Sequence, residues 1–251
     1  MNSNVYHITY SPKFETACLY FEGCNFRCLG CIRRKCNFDV HLPTDLQRTL
    51  EKTEIANLTR DEILDILTKV KPKKLIFMGG EPTIDSNFVP LTKELKMELN
   101  VYNTLLTNGY NFVDLSWCDE VCVGIKAANP RLHKEYTGKD SKTVFRNLKK
   151  LNKEKISLRT ESMFIPGYID IKETKDIAYA ISKINPNIPH RIDGYIPVPG
   201  TKWRRPNLIE IKEAIKAAKR YLKEVNYMTG RGVSRPVILR SEATKDLMIT
   251  R

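Results

Sequence analysis

The chain alternates between short apolar runs and longer amphipathic runs along most of its length. The apolar runs end in glycine, proline or asparagine and predict strands, and the amphipathic runs between them predict helices. Six such strand-then-helix units follow one another, which implies a parallel sheet with right-handed crossovers. The sequence therefore predicts an α/β fold in the form of a partial (β/α)6 TIM-like barrel with a mostly parallel sheet.

The predicted elements have the following bounds. Strands are predicted at residues 16–21, 74–78, 102–107, 120–126, 156–165 and 191–196. Helices are predicted at 59–70, 88–99, 112–117, 143–152, 172–184 and 208–225, the first of them opened by a Thr59/Glu62 capping box. No repeat or flexible linker divides the 251 residues, so we expect one domain over 1–251 with its core at about 16–225 and a C-terminal tail at 226–251.

Composition bears on compartment and partners. The net charge of +13 allows attraction to nucleic acid, an acidic protein or an anionic cofactor, and does not choose among them. Seven cysteines without a secretory leader favour a reducing compartment. No apolar run approaches the roughly 18 residues of a membrane span. We expect a cytoplasmic protein that does not contact a membrane.

Three cysteines, Cys24, Cys28 and Cys31, follow the first predicted strand in the run C-N-F-R-C-L-G-C. Three thiolates are one fewer than a tetrahedral zinc site or a fully ligated cubic iron-sulfur cluster needs. A cubic cluster with only three cysteine ligands keeps one iron open to a small molecule, so the spacing points to catalysis. A zinc knuckle or buried thiols are the alternatives, although no partner C-x2-C pair or H-x3-H lies nearby.

Further motifs stand at or just after the ends of predicted strands. They are Gly79-Gly80-Glu81-Pro82, Thr107-Asn108-Gly109, Lys126, Ile165-Pro166-Gly167 and residues 197–200. The carboxyl ends of parallel strands meet at one face of a barrel, where catalytic sites gather. We therefore expect the cysteine loop and these motifs to border one cleft.

With F-M-G-G-E-P-T one strand after the cysteine loop, the sequence resembles the radical S-adenosylmethionine (SAM) superfamily. T-N-G, the Lys126 segment with H-K-E-Y-T-G, and R-T-E-S-M-F-I-P-G at 159–167 resemble the branch that contains pyruvate formate-lyase activating enzyme, a glycyl-radical activase. The likeness covers most of residues 16–200. It implies a 4Fe-4S cluster at the three cysteines, reductive cleavage of SAM to a 5′-deoxyadenosyl radical, and abstraction of a hydrogen atom from a substrate.

The resemblance also implies how G-G-E-P binds SAM. Gly79 and Gly80 lack side chains, so backbone groups can approach the methionine amino end closely. Glu81 adds an acceptor for the ammonium, and Pro82 fixes the exit of the chain. An ordinary tight turn is the alternative interpretation of these four residues.

Three further side chains are predicted to bind SAM on the same grounds. Lys126 offers a cation to the methionine carboxylate, and Arg159, inside the next predicted strand, does the same. Asn108 hydrogen-bonds the carboxylate or the ribose. Salt bridges at the barrel rim are the alternative for the two cations, and a simple Asn-Gly turn is the alternative for Asn108.

The sequence also departs from the activating-enzyme pattern. That family places an aspartate just before T-N-G and another two positions before the lysine, where this chain has Leu106 and Gly124. It also has a histidine after the sixth strand, where this chain has residues 196–200 and Lys202. We therefore do not expect a carboxylate-lined cation site beside the cofactor.

The remaining cysteines and basic runs give expectations about clusters and partners. Cys36 alone lies between Cys31 and Gly79, which predicts one cluster without a ferredoxin insert. Arg33-Arg34-Lys35 predicts a docking patch for a flavodoxin or ferredoxin-type electron donor, with a solvated loop as the alternative.

Nucleic acid stays open as a partner because of one short segment. Trp203 interrupts Lys202, Arg204 and Arg205 in a predicted loop, where base stacking and phosphate contact can combine.

The leading functional hypothesis is a radical SAM enzyme, most simply an activase that takes a hydrogen atom from a glycine of a partner protein. The enzymatic alternative is modification of a small molecule, as by 7-carboxy-7-deazaguanine synthase, or of a nucleic acid. The non-enzymatic alternative is a zinc or redox-sensing interaction module. The sequence identifies neither the substrate nor a catalytic residue beyond the cofactor-binding set.

Overall fold

The computed structural model describes residues 3–34 and 56–228 and the backbone of 237–240. The described strands are β1 (Val5–Ser11), β2 (Thr16–Phe21), β3 (Lys74–Gly79), β4 (Tyr102–Thr107), β5 (Glu120–Ile125), β6 (Ser157–Phe164), β7 (His190–Gly194), β8 (Val225–Met228) and β9 (Val237–Arg240). The described helices are α1 (Arg60–Val70), α2 (Phe88–Leu99), α3 (Pro130–Thr137), α4 (Ser141–Leu151), α5 (Ile171–Ser182) and α6 (Leu208–Ala218). The predictions for Lys35 and Cys36, and most of the predicted tail, lie outside the described residues.

The described strands form one sheet in the order β8-β7-β6-β5-β4-β3-β2-β1-β9. Neighbouring strands from β2 to β8 pair in parallel, whereas β1 is antiparallel to both β2 and β9. In this order β8 and β9 are the edges, so the sheet does not close on itself. The mostly parallel, partial-barrel prediction is confirmed, and β1, β8 and β9 add to the six predicted strands.

Local sequence signals explain where several helices begin. The Thr59 hydroxyl accepts from the Glu62 amide at 3.3 Å, and the Glu62 carboxylate accepts from the Thr59 amide at 2.9 Å, which completes the predicted capping box of α1. Asn207 and Glu210 form a second capping box at the start of α6. Apolar side chains of the helices and of the outward face of the sheet then bury one another in a continuous core.

One predicted helix is wrong, and the predicted end of another is wrong. Residues 112–117 form no helix, because an Asp114 carboxylate oxygen accepts from the Ser116 amide and hydroxyl, and this local turn competes with helical hydrogen bonds. The helix predicted over 208–225 ends at Ala218. Val225 instead begins β8 and pairs with His190 of β7, so the segment predicted as the start of the tail is part of the sheet.

The alternation of side chains along the inner strands positions the site. On β6, Thr160, Ser162 and Phe164 are buried on the helix side, and Glu161 and Met163 point to the inner side of the sheet. The strands run in parallel, so their carboxyl ends bring the following loops to one rim. None of the helices within the described ranges has the length and apolar character that crossing a membrane requires.

Candidate active site

A cavity of about 340 Å³ lies at the carboxyl ends of the inner strands. Its size falls within the usual range for small-molecule sites. The sequence-predicted residues on its wall are Cys24, Cys28, Cys31, Gly79, Gly80, Glu81, Asn108 and Lys126. The structure therefore brings together, around one space, residues that are spread over about a hundred positions of the chain.

The two glycines of G-G-E-P lie directly against the start of the cysteine loop. Gly80 donates its amide to the Phe21 carbonyl at 2.8 Å, and Glu81 donates its amide to the Gly23 carbonyl at 2.8 Å. A Cβ atom at Gly80 would lie 1.8 Å from the Gly23 oxygen. Gly79 has φ +110, a conformation that favours glycine. Position 80 needs glycine because its backbone touches the start of the cysteine loop, and position 79 needs glycine because of its φ and its contact with the Phe21 backbone.

Glu81 is buried and braces the neighbouring motif. One carboxylate oxygen accepts from the Thr83 hydroxyl at 2.6 Å and the Thr107 hydroxyl at 2.7 Å, and the other accepts from the Asn108 amide at 2.7 Å. Burial raises the pKa of the Glu81 carboxyl, and these hydrogen bonds oppose that shift. Glu81 thus holds the ends of β3 and β4 together at the cavity wall.

The Asn108 side chain is directed at the cysteine loop. Its Nδ2 donates to the Asn25 side-chain oxygen at 2.6 Å and approaches Cys24 Sγ at 3.7 Å. The same sulfur accepts from the Phe26 amide at 3.4 Å. Two N–H donors on the Cys24 sulfur favour its thiolate form, in which a cysteine binds metal.

Lys126 follows the end of β5, and its ammonium lies over Gly124. A Cβ atom at Gly124 would lie 3.0 Å from Lys126 Nζ, so a larger residue there would displace the ammonium. Burial by itself lowers the pKa of Lys126, but attraction to Glu161 and to the three cysteines of the loop together outweighs burial and raises it. Gly124 stands where the activating-enzyme pattern has an aspartate. In this protein the Lys126 ammonium therefore lies where a side chain at position 124 would begin.

The structure does not bring Arg159 to the cavity. Its Nε donates to a Glu120 carboxylate oxygen at 2.7 Å, and its Nη1 donates to Cys122 Sγ at 3.1 Å. Glu120 is the first residue of β5, so this ion pair lies toward the opposite end of the strands from Lys126. The prediction of Arg159 as a cofactor ligand is corrected: its geometry is that of the alternative salt bridge.

Two carboxylates that the sequence analysis did not single out line the cavity instead. Glu161 accepts from Arg191 Nη2 at 2.6 Å, and Asp193 accepts from Nε and Nη2 of the same guanidinium at 2.8 and 2.9 Å. Burial raises the pKa of Asp193 to about 6, Glu161 adds to the rise and Arg191 opposes it. Every second side chain of a strand faces the inner side of the sheet. This alternation along β6 and β7 was the sequence signal that could have identified Glu161 and Asp193 as cavity residues.

The three cysteine thiols border the cavity from one side. Burial raises the pKa of Cys28 to about 11, and burial also raises that of Cys24. A bound metal overcomes such shifts because it deprotonates the thiols that it binds. Among the described residues no three His, Cys, Asp or Glu side chains converge as the ligands of a single metal ion would. A cluster places its cysteine ligands around several metal atoms, and the three thiols on one cavity wall fit that arrangement.

Residues of the two basic runs make contacts within the protein. The Arg33 guanidinium lies 4.6 Å over the Tyr20 ring, and Arg33 lines the cavity. Trp203 packs against Tyr168 with ring centroids 4.6 Å apart. Arg204 forms an ion pair with Glu210. Trp203 thus stacks on Tyr168, and the expectations of an electron donor and of nucleic acid as partners stay predictions.

The comparison with known families follows this geometry. The family described as the Radical SAM superfamily matches residues 19–178, which span the cysteine loop, G-G-E-P and Lys126. The chain belongs to the radical SAM superfamily. It is therefore an enzyme of a class that uses SAM and a 4Fe-4S cluster.

Individual relatives support the predicted branch. A Methanocaldococcus jannaschii protein with the name "Putative glycyl-radical enzyme activating enzyme" is 29% identical over 228 residues, which cover 88% of this chain and 82% of the relative. A domain of pyruvate-formate lyase-activating enzyme from Bacteroides vulgatus has a TM-score of 0.51 at 16% identity, over 61% of this chain and 97% of that domain. The predicted resemblance is confirmed.

A third comparison concerns the fold alone. The crystal structure of SuiB from Streptococcus suis bound to S-adenosylmethionine has a TM-score of 0.61 at 16% identity over 82% of this chain. The match covers 48% of SuiB, so this chain spans about half the length of that enzyme.

Proposed function

We propose that this radical SAM enzyme binds one 4Fe-4S cluster through Cys24, Cys28 and Cys31 and uses it to activate a glycyl-radical enzyme. The cluster, when bound, supplies the electron that cleaves SAM and so generates the radical that abstracts hydrogen. The observation that carries the proposal is the convergence of the three thiols, Gly79 to Glu81 and Lys126 around one cavity.

The residues that line the cavity together with the thiols fit the methionine end of SAM. Gly79 and Gly80 line the cavity, where their backbone groups can meet an amino group, and Lys126 supplies a half-buried cation for a carboxylate. Because Glu81 is already hydrogen-bonded to both neighbouring threonines and to the Asn108 amide, its main task is to fix the binding surface. Asn108 and the Phe26 amide hold the Cys24 sulfur in place.

The proposal of a protein substrate rests on the relative from Methanocaldococcus jannaschii, which is similar over most of both chains. In this proposal the hydrogen atom comes from the α-carbon of a glycine in a loop of the partner. The loop reaches the cavity from the carboxyl ends of the strands, beside Met163, Asp193 and Met228. A small acidic one-electron carrier of the flavodoxin or ferredoxin type reduces the cluster, since the chain is strongly basic.

The test is electron spin resonance on an anaerobic mixture of the cluster-loaded protein, SAM, reduced flavodoxin and a glycyl-radical enzyme of the source organism. We expect a glycyl radical signal on the partner, together with 5′-deoxyadenosine. A partner in which the radical glycine is replaced by alanine is the matched control and should give no signal. If 5′-deoxyadenosine forms but no glycyl-radical enzyme of the organism gives a signal, the activase assignment is rejected and a different substrate is required.

A further inference from the structure

Cys24 borders two separate spaces. Together with the other two cysteines of the loop it lines the active-site cavity, and it also lines a second depression of about 390 Å³. Cys24 is exposed, whereas Cys28 and Cys31 are half-buried. At this depression the protein surface therefore reaches one of the three cluster ligands without passing through the cavity that would hold SAM.

The second depression is basic. Its lining, which we call the basic face, consists of Cys24, Asn25, Arg27, Thr137, Gly138 and Lys139. Arg27 and Lys139 are exposed, and none of these six described residues is acidic. The neighbouring carboxylate of Asp140 is used as the cap of helix α4, where it accepts from the Thr143 amide at 2.9 Å. An acidic partner would therefore meet two cations at this face.

Neither cation is neutralised by the protein itself. Within the described part of the chain no carboxylate forms an ion pair with Arg27 or Lys139. Lys139 Nζ lies 5.6 Å from the centre of the Tyr110 ring, which leaves its charge in place. Both charges are thus available to attract an anionic surface.

Hydrogen bonds fix the two basic segments relative to each other and to the cysteine loop. The Arg27 amide donates to the Thr137 carbonyl at 2.8 Å, and the Lys139 amide donates to the Thr137 hydroxyl at 3.0 Å. The Leu29 amide donates to the Tyr136 carbonyl at 3.0 Å. Because Thr137 bonds both segments, the fold sets the spacing of the backbones that carry Arg27 and Lys139 before any partner binds.

We propose that the basic face is the docking surface for the small acidic one-electron carrier that reduces the cluster. This inference rests on the proposed cluster site. The reduced carrier loses one electron and the cluster gains it, so no bond forms or breaks. Electron transfer slows steeply with distance, which favours docking where a cluster ligand reaches the surface. Leu29 of the same loop is 48% exposed and can add the apolar contact that such transient interfaces contain.

The basic face differs from the patch that the sequence predicts around Arg33. The Arg33 guanidinium packs over the Tyr20 ring, and Arg33 lines the active-site cavity. A carrier that docks on Arg33 would approach the space that SAM and the substrate need. A carrier on the basic face leaves that cavity open, so the cluster can be reduced while SAM and substrate are bound.

The test is the second-order rate constant for reduction of the cluster by reduced flavodoxin, measured anaerobically by stopped-flow absorbance in the absence of SAM. In the double variant Arg27→Gln/Lys139→Gln we expect this constant to fall about tenfold at low ionic strength, because both attracting charges are removed. In about 1 M salt, where the Debye length is about 3 Å, the difference between the variant and the wild type should disappear.

Lys212→Gln/Lys216→Gln is the matched control. Both lysines are exposed on α6, outside the basic face, and this variant loses the same net charge. Its rate constant with flavodoxin should stay close to that of the wild type. Photoreduced 5-deazariboflavin, a small uncharged reductant that needs no docking surface, should reduce the wild type and both double variants at the same rate.

Two results would overturn the proposal directly. One is an equal rate constant for Arg27→Gln/Lys139→Gln and the wild type at low ionic strength, or an equal fall in both double variants. The other needs no substitution: a wild-type rate constant with flavodoxin that does not fall as salt is added.

Further outcomes separate this inference from the activase assignment. If Arg27→Gln/Lys139→Gln is reduced normally by flavodoxin but no longer activates its partner, the face binds the partner protein and the proposal is rejected. If flavodoxin reduces the cluster through the basic face but no partner is activated, only the activase assignment is refuted. An enzyme that activates its partner and whose reduction by flavodoxin is insensitive to Arg27 and Lys139 would refute only this inference.

Discussion

Gly80→Ala is expected to separate the G-G-E-P turn from the cysteine loop. The new Cβ would lie 1.8 Å from the Gly23 carbonyl oxygen. No side-chain rotation can relieve this clash, because the oxygen is a backbone atom and the Cβ is attached directly to the backbone. To reach an ordinary van der Waals contact, the two segments must move apart by roughly 1 Å or more. Such a movement breaks the Gly80–Phe21 and Glu81–Gly23 backbone hydrogen bonds.

The structure sets the size of the effect. Two backbone hydrogen bonds contribute about 0.5–1.5 kcal/mol each, and leaving the buried Glu81 carboxylate without some of its donors costs about 1–3 kcal/mol more. We therefore expect Gly80→Ala to lower the free energy of unfolding by about 2–6 kcal/mol, which is a large part of the stability of an ordinary domain. Urea unfolding followed by circular dichroism measures this difference.

Gly167→Ala is the control that measures the cost of placing alanine at a positive φ without a steric clash. Gly167 has φ +73, and a Cβ there would find nothing within 4 Å. It should cost about 1–2 kcal/mol through conformation alone. If Gly80→Ala is as stable as the wild type, or costs less than Gly167→Ala, the close approach of the two motifs is not what requires glycine at position 80.

Three other perturbations give expectations of known sign. Lys126→Met should weaken SAM binding to the cluster-loaded protein at least tenfold, which is about 1.4 kcal/mol. Arg159→Met is the control and should leave the dissociation constant of SAM unchanged, because Arg159 lies outside the cavity. Equal losses of affinity in the two variants would contradict the proposed site. Burial lowers the pKa of His190 to about 3, against about 6.5 in the unfolded chain. Below pH 6.5 the unfolded state therefore binds a proton that the folded state does not. The free energy of unfolding should fall by about 1.4 kcal/mol per pH unit in this range. His190→Gln should show a smaller drop between pH 7.5 and pH 5 in urea unfolding, and a drop as large as that of the wild type would refute this assignment. Asn207→Ala should cost about 1 kcal/mol in the same assay because it removes the cap of α6, and an unchanged unfolding midpoint would show that the capping box contributes nothing.

The parts of the fold that the sequence predicted best are those with a clear periodic pattern. Helix α2 (Phe88–Leu99) and strand β4 (Tyr102–Thr107) have the predicted bounds. The apolar face of α2 fits the helical period, and Asn108-Gly109 marks the end of β4. Helix α3 was missed, since its eight residues are mostly polar. Its signals were the Asn129-Pro130 start and Gly138, which has φ +79 at the end of the helix.

The candidate site shows a similar division. Motif residues reached the cavity because they directly follow strands, and the topology alone places strand ends at one rim. Arg159 and Glu161 share a face of β6 but lie about 7 Å apart along the strand, and the sequence does not say which of the two reaches the rim. The contact between Tyr136 and Gly30 joins segments that are remote in sequence, so only the tertiary structure reveals it.

The central claim is that Cys24, Cys28 and Cys31 hold a cluster at which SAM is cleaved. The most direct measurement is the amount of 5′-deoxyadenosine formed under anaerobic conditions by the reduced protein with SAM, with Cys28→Ser prepared in the same way. We expect product from the wild-type protein loaded with about four irons per chain, and none from Cys28→Ser. Product from Cys28→Ser at the wild-type rate, or no product from the fully loaded wild type, would contradict the account.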